Sequence, residues 1–298
     1  MIKLEQIYRA FAVFLKHLLQ SYFSILKVIV LSKFNTKLPA KSGETIAILG
    51  NGPSLKASLE KYTDYFKKTP LFCVNNFASS EAYEQLKPQN YLLLDPAFAD
   101  YDESKHNFPA IKKMFEDMEK KTSWKINLFI PVSGRKSANI KGLVNRNPNI
   151  TVTFFNNTMV TGFESFCYYL FRRNLGMTRC TNVLCGCLFL SINMGYKKIY
   201  LFGADHSWHE ELRIADDNTV FIRDFHFDDK QDSVKEVKLY ESIERNNSIK
   251  IHRIFWWGYK AFFDYIVIGE YAKKMKTDVY NASEKSYIDA FKREKPVV

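Results

Sequence analysis

The stretch "AILGNGPSLK", Ala47 to Lys56, ends an apolar run in a Gly-Asn-Gly-Pro turn, and Ser54 stands where a helical pattern begins. In Gly50-Asn51-Gly52-Pro53-Ser54 the glycines permit close backbone approach and Ser54 is an ordinary helix-opening residue. Free N–H groups of a first helical turn attract an anion, and Asn51 offers a donor and an acceptor beside them. The motif lacks the Lys of a P-loop and the third Gly of a dinucleotide fingerprint, which counts against ATP hydrolysis and NAD chemistry. Polar residues also end other apolar runs: Asn75 and Asn76, Asp95, and Gly203 with Asp205. The polar, aromatic stretch that follows carries His206, His209 and His226. Imidazole is the side chain poised for proton transfer near neutral pH.

An alternation of strand and helix patterns must position these residues. "TIAILG", "LFCVNNF", "NYLLLDP", "KINLFIPV", "NITVTFF" and "KKIYLFG" read as strands. "SLKASLEKYTDYF", "SSEAYEQL" and "FPAIKKMFEDMEKK" read as helices, with a longer one from about Thr178 to Met194. The fold class is therefore α/β: a Rossmann-like, mostly parallel sheet with helices on both faces, whose ligands bind beyond the carboxyl ends of the strands. The division expected is a basic amphipathic helix over 1–36, a Rossmann-like domain over 44–205 that holds a phosphate or a nucleotide, and a part over 206–298 that completes the same domain. That last part opens as an active-site lid and continues as helices over "SVKEVKLYESIERNN" and "IHRIFWWGYKAFFDYIVIGEYAKKM", before a final strand "TDVYNAS". Ile254, Trp257 and Phe262 share a helical face there and read as core.

At 298 residues with 46% hydrophobic and 25% charged side chains, the chain suits one large core. A net charge of +11 favours anionic partners: nucleic acid, acidic lipid or a nucleotide-activated substrate. Nucleic acid is set aside because no RGG, zinc or RNP-type signature accompanies the charge. Five cysteines without a CxxC pair argue against a disulfide framework and a zinc site, and place the catalytic part in a reducing compartment. Residues 1–34 hold one acid, Glu5, against Lys3, Arg9, Lys16, Lys27 and Lys33 among apolar residues. Lys16 and Lys27 interrupt the run of about 20 uncharged residues that a spanning helix needs. The segment reads as a helix lying on a membrane surface, the alternative being one packed on the domain or on a second subunit.

"AILGNGPSLK", "FCVNNF", "LLLDPAF" and "SINMGYKKIYLFGADHSW", in this order, resemble the bacterial lipooligosaccharide sialyltransferases. They also resemble the wider group of MptE-type pterin pyrophosphokinases and motility-associated flagellin glycosyltransferases, as does "VYNASEKSYIDAF". Resemblance to the sialyltransferases implies that Asn51, Gly52, Ser54, Asn75 and Asn76 hold the CMP part of a sugar donor. It puts Asp95 on the acceptor side and makes Tyr196 and Tyr200 the pair that steadies the departing phosphate. Thr181 and Asn182 stand where those enzymes carry a Thr-Ser-Gly turn, but Val183 follows, which leaves the donor open to Kdo, another nonulosonate or a different nucleotide.

The implied chemistry is direct displacement with no metal, no cofactor and a His general base from the lid. His226 is favoured, with Asp224, Asp228 or Asp229 to orient its ring, and His206 is second. Arg223 and Arg253 are candidates for a carboxylate contact, or plain surface charge. The resulting expectation is a bacterial glycosyltransferase of lipopolysaccharide or capsule synthesis. It would move sialic acid, Kdo or a related nonulosonate from a CMP donor to a cell-surface glycan or glycolipid. It would sit peripherally on the cytoplasmic face of the inner membrane, with homo-oligomerisation left open. The alternative is a pterin-type pyrophosphokinase using ATP and Mg²⁺.

Overall fold

Short apolar runs, buried nearly end to end, form the central strands, and burial on both faces is what a parallel sheet requires. The computed structural model describes residues 2–102, 108–223, 225–229, 236–241 and 247–297. In chain order the first elements are α1 (Ile2–Leu31), β1 (Thr45–Leu49), α2 (Leu55–Lys68), β2 (Leu71–Val74), α3 (Ala82–Leu86), β3 (Asn90–Leu92), α4 (Pro96–Ala99), α5 (Phe108–Lys121), β4 (Ile126–Pro131), α6 (Ala138–Arg146) and β5 (Ile150–Phe155). There follow α7 (Glu164–Arg172), α8 (Val183–Asn193), β6 (Lys198–Phe202), β7 (Leu212–Ile214), β8 (Val220–Ile222), β9 (Val237–Lys238), α9 (Ile251–Lys274), β10 (Asp278–Asn281) and β11 (Lys292–Arg293).

Eight strands form one parallel sheet in the order β11-β10-β6-β1-β2-β3-β4-β5. The chain steps outward from β1 to β5, then returns to lay β6 on the other side of β1. The order reverses between β1 and β6, and the crevice beyond their carboxyl ends is the ligand position of such sheets. One face is covered by α7, α8 and α9, with Val28 of α1 reaching the same core as Leu188, Phe189, Tyr265 and Tyr271. The other is covered by α2, α3, α5 and α6, which bury Leu55, Tyr83, Met114 and Leu143. Helices on both faces and a mostly parallel sheet agree with the sequence reading.

Four details differ. α8 starts at Val183 and not near Thr178, because Asn182 Oδ1 accepts from Leu184 N and Cys185 N and caps it. The lid is not wholly irregular, since β7, β8 and β9 form a small antiparallel sheet. Val237–Lys238 is thus a strand where a helix was expected, while 233–235 and 242–246 of that segment lie outside the described residues. Finally, α9 buries Ala261, Tyr265, Ile268 and Ala272, whereas Phe255, Trp256 and Trp257 are exposed. Trp257 is therefore not core.

Candidate active site

At the reversal point, the turn after β1 and the loop after β6 touch backbone to backbone. Gly50 N donates to Phe202 O at 2.8 Å, and Gly52 N donates to Gly203 O at 2.9 Å. A Cβ on Gly50 would lie 2.5 Å from Gly203 O, and one on Gly203 (φ +61°) would lie 2.5 Å from Gly50 O. The contact between strand ends demands these glycines, independently of any ligand.

The expected anion site is already filled. Ser54 N donates to Asp205 Oδ2 at 2.8 Å and Ser54 Oγ donates to Asp205 Oδ1 at 2.5 Å. A carboxylate of the protein thus sits at the start of α2, where an incoming phosphate was expected. Ser54 makes no cap with its own side chain. Burial pushes the Asp205 carboxyl upward, opposed by the two bonds from Ser54. Gly50 and Ser54 support the cleft floor and do not line the cleft.

Above that floor opens a cavity of about 2010 Å³. Asn51, Gly52, Pro53, Asn75, Asp95, Thr181, Asn182, Gly203, Asp205, His206 and His226 all line it. Asn51 Nδ2 donates to Val74 O at 3.2 Å, which seats it beside Asn75. Asn51 Oδ1 is buried with no hydrogen-bond partner among the described residues. Asn51 Oδ1 is thus an acceptor left open to a donor from outside the chain, water or ligand. Asn75 is held at φ +50° by Tyr91, whose hydroxyl donates to Asn75 O at 2.5 Å and accepts from Ala78 N at 2.8 Å. Asp95 caps α4 by accepting from Ala97 N at 2.8 Å. Asn76 is exposed and is not part of the lining, which corrects its assignment.

The lid turn is fastened to this floor. Phe227 N donates to Asn51 O at 3.1 Å, and its ring stacks on Phe77 with centroids 5.6 Å apart. His226 is carried into the cleft by that attachment. Its backbone N–H donates to Asp229 Oδ2 at 2.8 Å, and its Nδ1 lies 3.6 Å from the same oxygen. Asp229 therefore faces Nδ1 and leaves Nε2 as the nitrogen available to a ligand. Asp228 also lines the cavity, and Asp224 lies outside the described residues.

His206 has a different environment. It is 7% exposed, sits at φ +52° and packs on Trp208 with centroids 4.3 Å apart. Its Nε2 is 2.8 Å from Tyr265 Oη, and Tyr265 donates to Asn182 Oδ1 at 3.0 Å. The Asn182 oxygen can only accept, so Tyr265 gives its proton there and His206 Nε2–H donates to the phenol oxygen. Burial pulls the His206 pKa down to about 3. An imidazole that releases its proton so readily is a poor base at neutral pH. The role of base does not fit His206, which is a neutral wall residue.

That burial has a measurable consequence. The unfolded chain takes up a proton at His206 below about pH 6.5, while the folded chain does so only near its lowered value. Stability contributed by the neutral ring is present above pH 6.5 and is lost as pH falls towards 3, by up to about 1.4 kcal/mol per pH unit. Urea midpoints measured from pH 7 to pH 5 should fall more steeply for the native chain than for His206→Gln. Parallel curves would contradict the assignment.

Tyr196 and Tyr200 are not at the cleft. Tyr196 precedes β6 at the amino end of the sheet, 1% exposed, and its hydroxyl accepts from Ser42 N at 3.2 Å. Tyr200 lies within β6, stacked on Tyr280 with centroids 5.1 Å apart. Neither can steady a leaving group at the carboxyl ends. Thr181 and Asn182 line the cleft with their side-chain oxygens already engaged. Thr181 N and Oγ1 both donate to Asp264 Oδ2, Arg179 Nε donates to Asp264 Oδ1 at 2.8 Å, and Asn182 caps α8.

Residues that the sequence reading missed hold this loop. Asp264 is 2% exposed within "FFDYIVIGEY", and an acid inside so apolar a helical run is itself the signal of a buried polar network. The "NASEKSY" stretch braces the other side. Ala204 N donates to Ser283 Oγ at 3.0 Å, Ser286 Oγ to Ala204 O at 2.6 Å, and Tyr287 N to Asp205 O at 2.9 Å.

Positive charge in the lining comes from Lys56, Arg179, Arg223 and Lys285. Arg223 pairs with Glu211 at 3.2 Å and Lys285 with Glu210, while Lys56 has no ion pair among the described residues. Arg253 lies outside the lining, on α9 over the Trp256 ring at 5.6 Å. All five cysteines are free. Among the described residues no group of three or more His, Cys, Asp or Glu side chains could hold a metal ion.

The sheet defines an α/β protein, and its polar cavity lies at the reversal point, where such sheets hold their ligands. Residues 16–211, more than half of the chain, match the family described as "6-hydroxymethylpterin diphosphokinase MptE-like", and the chain belongs to this MptE-like family. No curated protein matches it. Among solved structures, the MAf glycosyltransferase from Magnetospirillum magneticum AMB-1 is similar at a TM-score of 0.47 and 11% identity, over 92% of this chain and 38% of that one. The chain thus spans well under half the length of that protein.

Proposed function

We propose that the cleft transfers a sugar from a nucleotide-activated donor to a glycan acceptor, with CMP as nucleotide and a sialic acid, Kdo or related nonulosonate as sugar. The single observation that carries the reading is that Asn51, Asn75 and His226 meet in one cavity at the reversal point. The motifs around Asn51 and Asn75 resemble those of the sialyltransferases, and the cavity exceeds the roughly 300–1,000 Å³ of an ordinary small-ligand site, leaving room for donor and acceptor together.

In the step proposed, His226 Nε2 takes the proton of an acceptor hydroxyl. That oxygen bonds to the anomeric carbon, the bond from that carbon to the phosphate oxygen breaks, and CMP departs with the electron pair. Lys56 and Arg223, both in the lining, are the cations available to the phosphate in place of Tyr196 and Tyr200. The step is proposed as metal-independent on the sialyltransferase resemblance; of the strand-end carboxylates, Asp205 has both oxygens engaged by Ser54. The family description favours a second reading, diphosphate transfer from ATP with Mg²⁺.

A thermal-shift series with CMP, UDP, GDP and ATP, each with and without Mg²⁺, separates the two. A ligand at 100 times its Kd stabilises by about 2.7 kcal/mol, a rise of about 4 °C for a chain of this size. CMP should produce it without metal. A shift with ATP and Mg²⁺ alone would favour the second reading, and no shift with any nucleotide would overturn both.

A further inference from the structure

α1 is built inside out relative to a helix of a soluble domain. The face it turns to the protein carries Ser21, Ser24 and Val28, and Ser32 continues it just past the helix end, the three serines being buried in the contact. Ser24 Oγ donates to Thr161 O at 2.8 Å and accepts from Thr161 N at 2.9 Å. Phe163 N donates to Ser21 Oγ at 3.1 Å, and Ser32 Oγ donates to Leu175 O at 2.7 Å. Gly162 allows this approach, since a Cβ there would lie 2.1 Å from Ser21 Oγ.

The opposite face is apolar and uncovered. At about 100° per residue, Tyr8, Leu15, Leu19, Leu26 and Val30 fall in one stripe facing away from the serines. They are 71%, 40%, 57%, 42% and 78% exposed. Lys16 and Lys27 fall in a row along one side of that stripe with Arg9, which pairs with Glu5 at 2.6 Å. An apolar stripe edged by cations is the arrangement of a helix that rests in a bilayer interface.

The run Leu4–Leu31 is long and apolar enough to cross a bilayer, with a mean hydropathy of 1.4. Its carboxyl-terminal half is nevertheless docked lengthwise on the domain through the serine bonds, with Phe14 already against Phe163 at 5.4 Å. The serine bonds and the Phe14–Phe163 contact hold the helix from Phe14 onward along the protein surface, which favours a helix lying on a bilayer over one crossing it. Acidic lipid matches the cations along the edge of the stripe.

We propose that α1 docks the protein in the plane of an anionic lipid surface through the Tyr8–Leu15–Leu19–Leu26–Val30 stripe and the Arg9–Lys16–Lys27 row. The segment that receives α1 is continuous in sequence with Asn157 and Met159 of the cleft lining. The inference stands on α1 alone and not on the reading of the cleft.

The test is co-sedimentation of the full chain with vesicles of phosphatidylcholine, with and without about one third phosphatidylglycerol, the fraction at which anionic attraction is strong. The native chain should bind the anionic vesicles and be released by salt. Leu15→Ser/Leu19→Ser/Leu26→Ser should lose at least about tenfold in binding while keeping the native melting temperature. Lys16→Gln/Lys27→Gln should lose the preference for anionic lipid. No binding by the native chain, full binding by the triple serine variant, or retention through an alkaline carbonate wash would overturn the proposal. So would a stable dimer that the triple variant dissociates.

Discussion

His226→Ala is expected to lower turnover by about 10²–10⁴-fold, the usual worth of a positioned general base. Affinity for the nucleotide should stay near native, because the lid is anchored through Phe227 N to Asn51 O and the Phe227–Phe77 stack, neither of which uses the imidazole. The loss should therefore appear in kcat and not in nucleotide affinity. Asp229→Asn should produce a smaller loss, since Asp229 faces Nδ1 at 3.6 Å and would orient the ring without touching the acceptor. Native-like turnover in His226→Ala, measured with any donor that the enzyme accepts, would remove the residue from the mechanism. His206 would not inherit the role, given its buried ring and lowered pKa.

The largest expected loss of stability is that of Gly203→Ala. The new Cβ would lie 2.5 Å from Gly50 O and 2.8 Å from Leu55 Cβ, at a φ of +61°. Neither a backbone carbonyl at the sheet centre nor a fully buried leucine can step aside. A cost of about 3 kcal/mol or more follows from strained backbone and overpacking together. The same displacement would move Gly52 and Asp205, so nucleotide binding should weaken in whatever fraction remains folded. Gly258→Ala is the matched control: nothing lies within 4 Å of its added methyl, and alanine is the better helix former by about 1 kcal/mol. Urea unfolding of the two variants should shift in opposite directions. An unchanged midpoint for Gly203→Ala would mean that the strand ends do not touch as described.

The central sheet was legible because its strands are buried on both faces and announce themselves as short apolar runs between turn residues. The reversal point was legible for the same reason, since Asn51, Asn75, Asp95 and Asp205 are the polar residues that end those runs. What the local pattern could not show was how these residues bind one another across the fold. Ser54 and Asp205 were each read as facing a ligand, yet they face each other, and only the pairing of β1 with β6 reveals it. Tyr196 and Tyr200 were carried over by resemblance; the first precedes β6 at the amino end of the sheet and the second lies inside the strand against Tyr280, so neither reaches the carboxyl ends. The lid strands β7, β8 and β9 are two or three residues long, too short for periodicity to register. The face of α9 was misread because alternative apolar stripes coexist on it, and packing against α8 and the sheet, not composition, chose the buried one. α1 was recognised as apolar and basic, but its serine contacts with residues 158–175 are tertiary and left no local trace.

The account rests on one cavity in which Asn51 and Asn75 receive a nucleotide within reach of His226. A crystal structure of the full chain soaked with CMP tests this most directly. The account predicts the cytosine and ribose against Asn51 and Asn75, with the phosphate directed towards Lys56 and Arg223 and the His226 ring beyond it. CMP bound elsewhere on the surface, or a cavity left empty at saturating CMP while ATP and Mg²⁺ occupy it, would contradict the account.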